Sequence, residues 1–103
     1  MRLPAPLVTV HSSSTMKIIW KFPVQITAHF VVPMPEGAQV LSVHMQGHEP
    51  QMWALVDSAA PTVDREFHIL GTGIPWAGPL GRFVGTVLTH GGAGAWHLFE
   101  AQS

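Results

Sequence analysis

A mainly all-β domain, built as a compact antiparallel sandwich or small barrel of about six to seven short strands, is what this sequence predicts. Three observations carry that expectation. In the stretch Gln51 to Gly73 the residues Met52, Ala54 and Val56 alternate with Gln51, Trp53, Leu55 and Asp57, and Arg65, Phe67 and Ile69 alternate with Glu66, His68 and Leu70. A period of two fits both arms and a helical period fits neither. Nine prolines and ten glycines cut the 103 residues into short segments, which suits strands and turns. The hydrophobic fraction is 47% and the charged fraction only 11%, so a core can close while little polar surface is left for long amphipathic helices.

The two arms of Gln51 to Gly73 are joined by one polar, proline-marked connection, Ser58 to Asp64, with room for a helical turn. The other strands are expected to add to that pair. Residues 1–15 differ in character, with early prolines and a Ser/Thr cluster, and read as a flexible N-terminal extension ahead of a single β domain, 16–103. Met16 directly precedes the first strong strand pattern and reads as the authentic start.

Lys17 to Phe22 forms the first strand, stopped by Pro23, and Thr27 to Val32 the second. Pro33, Pro35, Glu36 and Gly37 carry turn chemistry. Between Val40 and Gln46, Leu41, Val43 and Met45 form the expected buried face, opposite Ser42, His44 and Gln46. Gly47 to Pro50 closes a hairpin into Gln51 to Asp57, and Arg65 to Gly71 follows. Thr72 to Arg82 is an irregular loop around Trp76, with Gly73, Gly78 and Gly81 interleaved with Pro75 and Pro79. Phe83 to His90 is a strand in which Gly85 marks a bulge or a close backbone approach. Gly91 to Ala95 turns into a last strand, Trp96 to Glu100.

Charge and composition exclude several functions. Five Lys and Arg against six Asp and Glu, with no basic run, exclude a long nucleic acid held by its phosphates. The absence of cysteine removes disulfides, thiolate metal sites and a Cys nucleophile. No apolar run reaches the roughly 20 residues of a membrane span, and Pro4 and Pro6 break any signal-peptide core. The expected location is the cytoplasm. Low surface charge resists self-association poorly, so a homo-oligomer is expected.

No motif supports an enzyme. The GGAGA segment lacks the Lys-Ser/Thr ending of a P-loop, no G-x-S-x-G elbow accompanies His90-Gly91-Gly92, and Met52 stands where the second histidine of an HExxH helix would be. Asp57 and Asp64 flank a connection, a place where carboxylates bond to turn amides. A metal site would need His29, His44, His68, His90 or His97 to converge from different strands. No cofactor is implied.

The residues chosen for binding are Trp76, six positions before Arg82, for stacking a base and holding a phosphate. The competing reading makes Trp76 a packing residue, like Trp20, Trp53 and Trp96.

The ordered set WKFPVQI, MPEGAQVLSVHMQ, MWALVD, FHILGTG, FVGTV and HGGAGAWHLFE resembles a family of short phage-encoded proteins of unassigned function, with WALVD, GTG and WHxFE elements in this order from about Met16 to Glu100. The resemblance implies a viral origin and no catalytic residues. It extends to anti-CBASS sponges, oligomers that sequester the cyclic nucleotides of host immune signalling. On that footing the expected partner is a cyclic di- or trinucleotide, captured in the host cytoplasm, and the resemblance implies that Trp76 stacks a base, Arg82 pairs with a phosphate, backbone amides of Gly71 to Gly73 or Gly91 to Gly94 add anion contacts, and His90 and His97 add hydrogen bonds. A protein–protein interaction or structural phage accessory role is the alternative, and a histidine metal-site protein the third.

Overall fold

Seven strands and one short turn of 3₁₀ helix, His90–Gly92, make up the secondary structure of residues 16–102, which the computed structural model describes. The expected flexible extension, residues 1–15, lies outside the described residues. The strands are β1 (Ile18–Pro23), β2 (His29–Pro35), β3 (Gln39–Gln46), β4 (Glu49–Val56), β5 (Thr62–Gly71), β6 (Arg82–Thr89) and β7 (Gly94–Glu100). They form a three-stranded sheet in the order β1-β4-β3 and a four-stranded sheet in the order β2-β5-β7-β6, antiparallel throughout. The result is a small β-sandwich. Among the described residues no helix is long and apolar enough to cross a membrane.

The alternation read in the sequence becomes the core. Met52, Ala54 and Val56 of β4 and Phe67 of β5 are wholly buried, with Met34 and Leu98 close behind. The two arms do not pair with each other, however. β4 lies in the three-stranded sheet and β5 in the four-stranded one. Each arm carries its own apolar face, and a sandwich buries both by setting them in opposite layers about 10 Å apart. The connection crosses between layers without a helix. Asp57 accepts the Ala60 amide on its carbonyl at 3.0 Å and the Ala59 amide on Oδ1 at 3.0 Å, which makes a tight Asp-led turn.

Two further expectations are corrected. Pro33 and Pro35 belong to β2, which continues to Pro35 opposite Thr62. An edge strand tolerates proline because its outward side has no ladder bond to lose, and the turn itself begins at Pro35, whose carbonyl accepts the Ala38 amide at 3.1 Å. In β3 the register shifts between Val40 and Ser42. The bulge puts both Val40 and Val43 in the core and leaves Leu41 45% exposed, so the buried face is Val40, Val43 and Met45.

At Gly85 the sequence expectation holds in both senses. The β6–β7 register shifts between Phe83 and Gly85, and a Cβ at Gly85 would stand 2.8 Å from Cγ1 of Val43. The missing side chain lets β6 close against β3 from the facing sheet. Val43 is β-branched and 4% exposed, so it has little freedom to yield. Gly85→Ala should therefore lower the unfolding free energy by about 2 kcal/mol. In a Val43→Ala background, where room has been made, the loss should be much smaller. Urea denaturation of the four proteins in this cycle measures it, and equal losses in both backgrounds would place the constraint elsewhere.

Candidate functional site: a ring-lined sheet face

The four-stranded sheet has two unlike faces. Phe67 and Ile69 turn inward, so the residues between them, Glu66, His68 and Leu70, turn outward. Register carries this face across the sheet. His29 is opposite His68, His68 opposite Phe99, and Phe99 opposite Phe83, which sets four rings in one row over β2, β5, β7 and β6. Ring centroids lie 5.4 Å apart for His29 and His68 and 5.4 Å apart for Phe83 and Phe99, the spacing of tilted aromatic pairs. Three strand spacings of about 4.8 Å make the row about 14 Å long.

The loop between β5 and β6 returns over this face. Trp76 packs on His68 with ring centroids 4.8 Å apart. Two polar atoms beneath that contact, Trp76 Nε1 and His68 Nδ1, are buried without a hydrogen-bond partner. A buried polar group left unpaired costs about 1–3 kcal/mol, which the ring contact must offset. Beside the row, His97 is opposite Leu70 and Thr86. Its Nε2 lies 2.7 Å from the Thr72 hydroxyl and its Nδ1 2.9 Å from the Thr86 hydroxyl. Hydroxyls donate and accept, so either tautomer of the ring is held in place.

Charge is distributed unevenly. On the outer face His29 Nε2 stands 3.9 Å from Glu66 Oε1, both side chains being half exposed or more, a pairing worth little in water. Arg65 and Arg82 lie on the other face. Arg65 Nε donates to Glu100 Oε2, and Arg82 Nη2 donates to Glu100 Oε1 at 3.4 Å. Glu100 is 8% exposed. Its carboxylate thus sits between two guanidiniums, which meet the condition for burying a charge: a partner of opposite sign and hydrogen bonds to it.

The residues singled out from sequence are therefore divided. Trp76 and His97 share the outer face of the four-stranded sheet. Arg82 does not join them, because its row, with Glu100 and Phe67, faces inward. Gly71 serves packing. A Cβ there would meet the Trp96 ring at 3.1 Å, so the glycine makes room for the indole, whose Nε1 donates to the Thr89 hydroxyl at 2.8 Å. Gly73, with φ of 85°, shapes the turn in which the Ile74 amide bonds the Gly71 carbonyl at 3.1 Å, while the Thr72 amide bonds Ala95 at 3.2 Å. Those two amides are committed to the fold rather than open to an anion.

The two glycine-rich turns do meet, around a hollow of about 490 Å³ lined by Gly71, Thr72, Ile74 and residues 93–96. His90, with φ of 53°, lines a separate cleft of about 630 Å³ with His48, Ile26 and Leu88. Of the five histidines considered for a metal, only His29 and His68 come together as a ring pair. Among the described residues no group of three or more His, Asp or Glu side chains is placed to hold a metal ion.

His29, His68, Phe83 and Phe99 went unread as a set. Period-two alternation assigns His29, His68 and Phe99 to the outward face of their strands, but it would turn Phe83 inward with Gly85 and Val87; only the β6 bulge brings Phe83 out opposite Phe99. A family model described as a domain of unknown function, DUF7352, matches residues 16–103. No curated protein and no solved structure matches the chain.

Removing the carboxylate of Glu100 leaves Arg65, 21% exposed at its side chain, beside Arg82 without the shared anion. Glu100→Gln is expected to cost about 2 kcal/mol of stability. Arg82→Ala, at a side chain 48% exposed, should cost less than about 1 kcal/mol. Denaturant titration at neutral pH distinguishes the two, and equal effects would mean that Glu100 is not held as described.

Proposed function

The chain belongs to the DUF7352 family, and we propose that it is a non-enzymatic, phage-encoded binding protein that sequesters cyclic di- or trinucleotide immune signals of the host on its ring-lined sheet face. The observation that carries this reading is the row of His29, His68, Phe99 and Phe83 with Trp76 laid on His68 above two unpartnered polar atoms. A nucleobase entering between Trp76 and His68 would supply flat surface to both rings and edge atoms to the indole N–H and the imidazole Nδ1. Stacking on aromatic side chains accepts any base, because every base has a π-face.

Magnitudes shape what such a site does. Stacking contributes about 1–3 kcal/mol per base, so two bases give about 2–6 kcal/mol, whereas micromolar affinity needs about 8 kcal/mol. Hydrogen bonds to the base edges must supply the difference. Phosphate contacts contribute little here, since Arg65 and Arg82 are held by Glu100 on the opposite face. Affinity should then depend only weakly on salt, in contrast to phosphate-driven binding.

The lack of Lys and Arg among the described residues of this face also favours a second reading, a protein partner. Phe83, Leu88 and Val31 on the same face are 54%, 56% and 41% exposed, and apolar surface with few charges suits the centre of a protein interface.

Calorimetry against a panel of cyclic di- and trinucleotides tests the first reading. Saturable binding is expected, little changed by salt, with intact ligand recovered after denaturation. Trp76→Ala and Phe83→Ala should each weaken binding about tenfold or more, a loss of about 1.4 kcal/mol, while Arg82→Ala leaves it unchanged. No heat with any nucleotide would overturn the sponge reading and leave the protein partner, to be sought by pull-down with the same two variants as controls.

A further inference from the structure

Strand β1 is poorly covered by the rest of the fold. Ile18, Ile19 and Trp20 are 50%, 54% and 38% exposed. Two of these face inward. Register sets Ile18 opposite Val56 and Trp20 opposite Ala54, and residues opposed in an antiparallel pair share a face. Val56 and Ala54 are fully buried, so Ile18 and Trp20 look toward the four-stranded sheet, and their exposure means that sheet stops short of them. Among the described residues β1 is also an edge, bonded to β4 alone, with a row of backbone donors and acceptors along its other side. Inward charges and bulges are the usual means of blunting such an edge. β1 has neither; its one charge, Lys21, points to the outer face, and its proline, Pro23, stands at its last position.

We propose that a second copy of this chain pairs with that edge, β1 against β1, antiparallel about a two-fold axis, so that two three-stranded sheets become one sheet of six strands. The strand's own sequence selects the register. Because opposed residues must share a face, the axis passes through a residue opposed to itself. Centred on Ile19, it sets Lys17 against Lys21, like charges directly opposed, which destabilises the pair. Centred on Trp20, it sets Trp20 against Trp20, Ile18 against Phe22, and Ile19 against Lys21, whose ammonium donates to Gln46 Oε1 at 2.6 Å on its own chain. The second register keeps lysines apart and joins Ile18, Trp20 and Phe22 of both copies into one apolar strip. Within each copy the Trp20 and Phe22 rings are already 6.4 Å apart. Pairing over the 6 residues of β1 is short against the roughly 20–30 residues a side of a standard interface, so the dimer should dissociate on dilution.

The chain has no cysteine, so Trp20→Cys adds a single thiol. In the Trp20-centred register two such thiols stand opposite each other at a Cα separation of about 4.5–5.5 Å, within disulfide range. Ile19→Cys, displaced along the strand and on the outer face, is the control. Sedimentation of the unmodified chain should show a concentration-dependent dimer. Mild oxidation should yield a disulfide dimer from Trp20→Cys in several-fold excess over Ile19→Cys, with circular dichroism confirming that both fold. Ile18→Glu should shift the unoxidised protein to monomer. A monomer at every concentration, or equal crosslinking of the two cysteine variants, overturns the proposal. So does loss of the dimer when the chain is started at Met16, which would make residues 1–15 the occupant of the edge.

Discussion

The inner face of β4 constrains everything built around it. Met52, Ala54 and Val56 have no exposure at all, and a sheet face that apolar must be roofed by a second layer. The roof is the four-stranded sheet, seated through Phe67 and Leu98, both essentially buried. It is not centred over its floor. Gly85 lets β6 close directly against Val43 of β3, which draws the two layers together on that side. At the other edge of the three-stranded sheet, two strands away, the inward side chains of β1 are left partly uncovered.

The same layering separates Arg65 and Arg82 from the row of rings. Because side chains alternate along a strand, Arg65, Arg82 and Glu100 share the inward parity of the four-stranded sheet, while His29, His68, Phe99 and Phe83 share the outward parity. At the sheet's end the Glu100 carboxylate is shared by the guanidiniums of Arg65 and Arg82. The outward rings share their face with two exposed carboxylates of β5, Asp64 and Glu66, the second 3.9 Å from His29. A ligand recognised there must be recognised by its flat faces and edges, so the phosphate-clamping role first assigned to Arg82 does not fit.

Much of this architecture was legible because period two is a local property. It identified the buried sets of β4 and β5 and the all-β class directly. It could not say which strands are neighbours, since Met52 and Phe67 look equally inward whether their strands pair or face each other across a core. Leu41 shows the other limit. Its pattern is that of a core residue, but one extra residue in β3 turns it outward, and nothing in the local alternation reveals the bulge. Gly85 was readable for the opposite reason, since a glycine inside a strand needs a cause. Glycine also misled. Gly71 and Gly73 suggested an anion nest, whereas the indole of Trp96 and a tight turn account for them.

The proposed dimerisation through β1 and the proposed capture on the ring face would use different parts of the molecule. β1 belongs to the three-stranded sheet, and the ring row lies on the outer surface of the other layer. A two-fold axis perpendicular to the paired edges keeps both ring faces outward and on the same side of the combined sheet. Neither site is then covered by the partner, and each chain presents a complete one. An assembly of that kind gains no affinity per ligand from pairing; it gains stability for a chain whose sandwich is unfinished on one flank. Binding energy and assembly energy would be separable, with Trp76 and Phe83 governing the first and Ile18 and Trp20 the second.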